Sequence, residues 1–372
     1  MVPYDARVNV EPLQLGLKVD VCTHAGLRDG VPALMRLFDE LHIRGSFFIS
    51  FGPDHSGRAI RRIVRPGFLG KMFRTNAIGT YGWRTVLYGT LLPGPQIARS
   101  FPDSIRALAR AGHEVGLHGY DHVYWQDRLP HLPPDAVAAE IDRGRAAFTE
   151  ILGAPRRAFG APGWQCTPAS FASEDAVGLA YHSDTRGTAP YIPEMGGQRF
   201  RTLEIPTTLP TLDEAYGRAG TTPHALTEFY LRQLRPGLNV YTAHAEMEGV
   251  RQLPIARHLL GTLRSQLRVL RLIDVAEQLR AAPVGRVVSG PIEGRAGSLA
   301  WQASARRVQR RSGWTWRRQG RRPPPSRLGH CGCSRAPSCS SISALSAASR
   351  WPSPTSHAMP RSPARCWSCA IG

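Results

Sequence analysis

Cysteine is scarce over most of this 372-residue chain. Only Cys22 and Cys166 precede residue 286, and the other five (Cys331, Cys333, Cys339, Cys366 and Cys369) crowd toward the end. Two thiols cannot build a disulfide framework, so a reducing compartment is expected. No run of 18 apolar residues occurs, so no membrane-spanning helix is expected. The opening MVPYDARVNVEPLQ has no uninterrupted apolar stretch and no cleavage-like site, so no secretory signal is expected either. No G-x-G-x-x-G follows the first strand-like run, which disfavours a dinucleotide-binding doubly wound sheet.

Acidic residues are lacking in two places. Residues 286–372 hold 15 Arg and a single acid, Glu293, and so carry +14 of the formal +19. Residues 1–285 hold 32 Lys+Arg against 27 Asp+Glu. The strong basicity therefore describes the end of the chain and is poor evidence for nucleic acid, which is not an expected partner. Residues 286–372 are rich in Arg, Ser, Pro and Cys, without a helical or strand period. Such a stretch cannot bury enough apolar surface to offset its ordering entropy. It reads as a disordered basic tail, with a composition that out-of-frame translation could produce. An arm for nucleic acid or anionic lipid is the functional alternative. CWSC is a single C-x-x-C and CGC has only one residue between its cysteines, so the paired C-x-x-C spacing of a zinc knuckle is missing.

The second stretch, from His55 to Pro102, has no acid at all. It carries Arg58, Arg61, Arg62, Arg65, Lys71 and Arg74 among aliphatic and aromatic residues. It is too long for a simple connection. A surface lying against an anionic membrane would have this mixture; so would a helical hairpin covering the fold.

Short apolar runs and helix-like segments alternate over residues 13–285, after an N-terminal extension of residues 1–12. The strand-like runs are 13–21, 45–51, 113–118, 156–162, 179–184, 202–208 and 238–244. Helices are expected over 30–41, 102–111, 135–152, 168–178, 223–234 and 253–270, with Thr167–Pro168 reading as a cap and first-turn proline. This alternation predicts an α/β fold of parallel strands, a closed or nearly closed barrel with fewer than eight units. Asp20, His118, Asp184 and His244 each fall at the C-terminal end of a run, where β/α barrels gather their active sites.

In LGLKVDVCT, alternation puts Leu15, Leu17, Val19 and Val21 on one face and Lys18, Asp20 and Cys22 on the other. An Asp that merely caps the next loop is the plainer reading. In HEVGLHGYDH, His118 and His122 are spaced H-x-x-x-H, so one helical turn could bring both imidazoles to one ion; packed or surface histidines would look the same. In NVYTAHAEMEG, Val240, Thr242, His244 and Glu246 share a face, and a carboxylate beside the imidazole would keep it protonated as a general acid. Gly160, Pro162 and Gly163 make a sharp exit that presents Trp164, and Asp184 and Arg186 could orient a ligand or a catalytic group.

These phrases, with SFFISFGPDHSGRAIRRIVRPGFLGKM, NAIGTYGW, SDTRG and EIPTTLPTLDE, resemble the polysaccharide deacetylase family over roughly residues 15–280. The likeness is to its deformylase branch, which acts on a formamido-arabinose carried on undecaprenyl phosphate. The resemblance implies a metal-dependent hydrolase on a distorted barrel of about seven β/α units. It implies a lipid-linked sugar substrate, an anionic inner-membrane surface as partner and a peripheral, cytoplasmic location. The biological consequence would be cationic modification of lipid A and resistance to polymyxin-type peptides. Carried over, Asp20 is the catalytic base, His118 and His122 are metal ligands, and His244 is the general acid. The family's second aspartate is replaced by Cys22, a thiolate that would favour zinc as the divalent metal. The family's arginine that orients the base falls near Gly160, which leaves Lys18 or Arg186 for that role. Two other readings stay open: an N-deacetylase of another glycan (chitooligosaccharide or peptidoglycan), and a non-catalytic lipid-sugar or nucleic-acid binder with a decayed metal site.

Overall fold

The computed structural model describes residues 13–58, 85, 87–155, 157–292, 295 and 297–303. The strands in chain order are β1 (Gln14–Val21), β2 (Ser46–Ile49), β3 (Glu114–Leu117), β4 (Ala158–Phe159), β5 (Tyr181–His182), β6 (Ile192–Met195), β7 (Gln198–Arg199), β8 (Leu203–Glu204), β9 (Leu238–His244), β10 (Arg268–Leu270), β11 (Val284–Pro291) and β12 (Ser298–Gln302). Eight of them form one parallel sheet, in the order β10-β1-β2-β3-β4-β5-β8 with β9 also on β1. β9 runs along β1 from Gln14↔Leu238 to Asp20↔His244. The remaining edge of β1 is shared, with β10 against Gln14–Gly16 and β2 against Lys18–Val21. Past β8 the sheet curls far enough for the amides of Thr208 and Leu209 to donate to the Val240 carbonyl, at 3.2 and 3.1 Å. Two backbone hydrogen bonds, with side-chain bonds of Thr207 and Thr208, stand there in place of a ladder, which is why the barrel is distorted.

Alternation in β1 decides what faces what. Leu15, Leu17, Val19 and Val21 are buried against helical residues such as Leu34, Phe38, Leu259 and Leu263. Each such burial stabilises the fold by roughly 1.5–3 kcal/mol. The other face points into the barrel, where a Cβ on Gly16 would lie 2.7 Å from the Leu272 side chain. A smaller cluster of Phe48, Ala158, Tyr181, Ile205, Val240 and Leu272 fills that interior. The outer helices include Val31–Glu40, Pro102–Arg110, Pro134–Leu152, Pro168–Ala176, Pro223–Leu231 and Leu253–Gln266. Thr167 caps the fourth of these through a reciprocal capping box with Ser170.

Three expectations are corrected. The helix expected over 253–270 stops at Gln266, and Arg268–Leu270 becomes β10 because Leu15 and Gly16 of β1 offer open ladder positions. The main sheet thus has eight strands rather than seven. A second sheet, β12-β11-β6-β7, went unread in the sequence. It carries the third correction: β11 and β12 run through the first part of the stretch expected to lack regular structure, and Leu299, Ala300, Trp301 and Gln302 are buried. Residues 304–372 lie outside the described residues, as do most of 59–86.

Candidate active site and metal centre

The C-terminal ends of β1, β3, β4, β5 and β9 deliver the candidate residues to one place. Asp20 and His244 are register partners on adjacent strands. Asp20 is buried, and its Oδ1 accepts no hydrogen bond from the protein. The Lys18 ammonium lies 3.5 Å from that oxygen and donates to the Ser183 carbonyl at 3.0 Å. Gly160 leaves room for it: a Cβ there would sit 3.3 Å from Lys18 Nζ and 2.8 Å from the Phe48 ring. Of the two cations considered as partners for Asp20, Lys18 is therefore the one in place. Arg186 instead donates to both carboxylate oxygens of Glu214, at 2.9 and 3.1 Å, and to the Leu209 carbonyl.

His118 follows β3 directly. Its Nδ1–H donates to the Gly160 carbonyl at 2.7 Å, which leaves Nε2 to face Cys22 Sγ at 3.6 Å. Burial pushes its pKa down to about 4, so the ring is neutral and able to ligate. Gly119 then turns with φ +70°, and Asp121 accepts from the Tyr124 amide to cap the helix that begins at His122. The two imidazoles meet with ring centroids 5.1 Å apart. They do so across a strand end and a helix start, not within the single helical turn that the spacing suggested. The turn arises because Gly119 takes a left-handed conformation that a helix excludes.

One ligand atom from each of Cys22, His118 and His122 lies within 4.8 Å of the others. Thiolate and imidazole are donors for a divalent cation. The carbonyl that fixes the His118 tautomer is the outer support that metal-ligating histidines use. Burial, with Glu246 next, pushes the Cys22 thiol well up when no cation faces it. The donor set fits a divalent ion.

The strand alternation expected to set Glu246 beside His244 does not place it. The strand ends at His244 and Ala245–Glu248 is helical, so strand alternation no longer applies. Glu246 Oε2 instead accepts from the Cys22 amide at 3.4 Å, and burial raises its pKa to about 7. Glu248, which sequence reasoning missed, accepts from the His244 amide at 3.0 Å and from the Tyr241 hydroxyl at 2.9 Å. Burial lifts it to about 8. The i,i+4 spacing of His244 and Glu248 was the available signal.

Trp164 is buried with φ +55°, next to Gly163 at +63°. Its indole N–H donates to Thr207 Oγ1 at 3.1 Å, and it meets the His244 ring edge to face at 6.3 Å between centroids. Asp184 acts on the same turn: its Oδ1 accepts from the Ala161 amide at 2.7 Å. Behind it, Glu204 accepts from the Asp184 and Thr185 amides and pairs with His182. Asp184 thus supports the turn that offers the Gly160 carbonyl to His118. Of the basic residues singled out near the acid-free segment, Arg58 donates to the Gly89 carbonyl at 2.9 Å. Arg61, Arg62, Arg65, Lys71 and Arg74 lie outside the described residues.

Parallel strands in a curled barrel thus hold a base candidate beside a three-donor cluster at their C-terminal ends. A profile described as polysaccharide deacetylase matches residues 14–182, and the chain belongs to that family. It is a hydrolase acting on amide C–N bonds. A protein of Shewanella sediminis named as a probable 4-deoxy-4-formamido-L-arabinose-phosphoundecaprenol deformylase is 36% identical, over 78% of this chain and 95% of its own. One of the same name from Wigglesworthia glossinidia brevipalpis is 30% identical, over 74% and 98%. Among solved structures, a protein described as a polysaccharide deacetylase of Mycobacterium smegmatis superposes with TM-score 0.51 at 20% identity, over 75% of this chain and 93% of that one. Puue allantoinase does so with TM-score 0.50 at 16% identity, over 74% and 93%. These two likenesses concern the fold.

Proposed function

We propose that this chain is a metal-dependent deformylase that hydrolyses the formamide of a 4-formamido-arabinose carried on undecaprenyl phosphate. The observation that carries the reading is a buried carboxylate oxygen, Asp20 Oδ1, without a hydrogen bond beside the cluster of Cys22, His118 and His122. The names of the two relatives supply the substrate.

Cys22, His118 and His122 would hold the cation, and a thiolate with two imidazoles selects zinc over harder ions. When bound, the cation polarises the formyl carbonyl and stabilises the negative charge that develops on its oxygen. Asp20 takes a proton from the attacking water, held in place by Lys18. His244, on the adjacent strand, delivers a proton to the leaving nitrogen as the C–N bond breaks, and Glu248 holds its backbone. The products are formate and a 4-amino sugar still on its lipid carrier. The new amine is cationic, which suits modification of lipid A and resistance to polymyxin-type peptides.

No described helix is long and apolar enough to cross a membrane. We place the protein at the inner face of the inner membrane, held through the basic, apolar segment 55–102 and its lipid-linked substrate. Asp20→Asn and His118→Ala should each abolish formate release from the formamido sugar. Near-normal turnover in either variant would refute the assigned roles, and acetate from an N-acetyl substrate in preference to formate would refute the substrate.

A further inference from the structure

We infer that Arg295 and Trp164 form a subsite for a phosphate ester on the sugar, beside the candidate catalytic residues. This deepens the proposed function and rests on it for the identity of the sugar. Arg295 lies between β11 and β12, so the second sheet returns a cation to a site built by the first.

Three cations gather on the Trp164 indole. The Lys18 ammonium stands 5.7 Å from the ring centroid, the Arg186 guanidinium 5.2 Å and the Arg295 guanidinium 4.4 Å. Lys18 is paired with Asp20, and Arg186 with both oxygens of Glu214. Arg295 approaches the same Glu214 at 3.4 Å. Arg295 also donates to that carboxylate, so one Glu214 is shared by two guanidiniums. The Arg186 side chain is 1% exposed and that of Arg295 is 13%, so Arg295 is the one that still reaches solvent.

Donors are in surplus. Arg186 Nε and Trp301 Nε1 are buried without an acceptor, and Trp301 packs with Trp164 in one small cluster. Orphaned donors beside a guanidinium that reaches solvent suit an anion with several oxygens. A guanidinium laid flat on an aromatic face keeps its fork oriented for bidentate binding of phosphate.

The position suits a substituent on the same sugar ring as the amide. The Trp164 and His244 rings meet edge to face, with centroids 6.3 Å apart, and Arg295 lies over the Trp164 ring. One indole therefore separates the reacting groups from the cation.

The test uses the full-length chain and two probes that differ only at the anomeric position, arabinose 1-phosphate and methyl arabinoside, with affinities from calorimetry. Wild type should prefer the phosphate, and Arg295→Ala should lower that preference roughly 10- to 100-fold, the size of a charge-assisted hydrogen bond. Arg295→Lys, which keeps the charge and loses the fork, should fall between. Equal weakening of both probes, an unchanged ratio, or no preference in wild type would overturn the subsite. Formate release is scored separately. If the preference collapses as stated while wild type releases no formate, the subsite stands and the proposed reaction falls.

Discussion

Replacing Lys18 with methionine isolates the ion pair beneath the candidate base. The Lys18 side chain is fully buried, and its nitrogen lies 3.5 Å from Asp20 Oδ1 and 5.0 Å from the Phe48 ring centroid. Methionine keeps the apolar stem and removes the charge. At an effective dielectric of about 20, Coulomb's law gives about 5 kcal/mol for two unit charges at this separation. Broken buried pairs cost about 3–5 kcal/mol, because the surviving charge has no partner. At about 2–4 °C per kcal/mol for a chain near this size, Lys18→Met should lower the unfolding midpoint by roughly 6–20 °C. Adding Asp20→Asn removes the stranded charge, so the double variant should recover most of that loss. The assay is urea and thermal unfolding of the four proteins in a double-mutant cycle. A double variant no more stable than Lys18→Met alone would refute the pairing, as would a single-variant cost under about 1 kcal/mol.

Three further outcomes are expected. Cys22→Ala should lower zinc content at least tenfold after purification, and Cys22→Asp should restore a cation while shifting preference toward harder ions; equal zinc in all three proteins would remove Cys22 from the site. The buried His113 ring, whose Nδ1 accepts from the Gly45 amide, is held down to about 4 by burial and by the charges of Arg44 and Arg271. Its folded pKa lies below the unfolded one, so stability is full above about pH 6.5 and falls as pH drops toward about 4, by about 2 kcal/mol after allowing for partial solvation. His113→Gln should flatten that part of the stability profile, and an unchanged slope would refute it. Joint replacement of Arg61, Arg62 and Arg65 by Ala should release the protein from anionic vesicles, so unchanged co-sedimentation would count against the membrane reading.

Much of the site was readable because strand alternation is a local property. Leu15, Leu17, Val19 and Val21 announced which face of β1 is covered by helices, and that put Lys18 and Asp20 inward. Titratable residues at successive strand ends marked one end of the barrel. β10 was hidden because a helical period ran on through Leu267 and Val269, and only an open edge on β1 makes them strand. β4, β5 and β8 are two-residue ladders whose existence depends on their neighbours.

By itself, the sequence determined the parallel α/β architecture and the grouping of Asp20, His118 and His244, since periodicity and strand-end position are written into consecutive residues. Tertiary structure alone decided that Lys18 fills the space beside Gly160, that Glu246 serves Cys22 while Glu248 serves His244, and that Arg295 returns to Trp164. Apart from Glu248 with His244, which are four residues apart, those pairings join residues far apart in the chain. They depend on how strands close around a shared interior, where distance and burial, not spacing, select the partner.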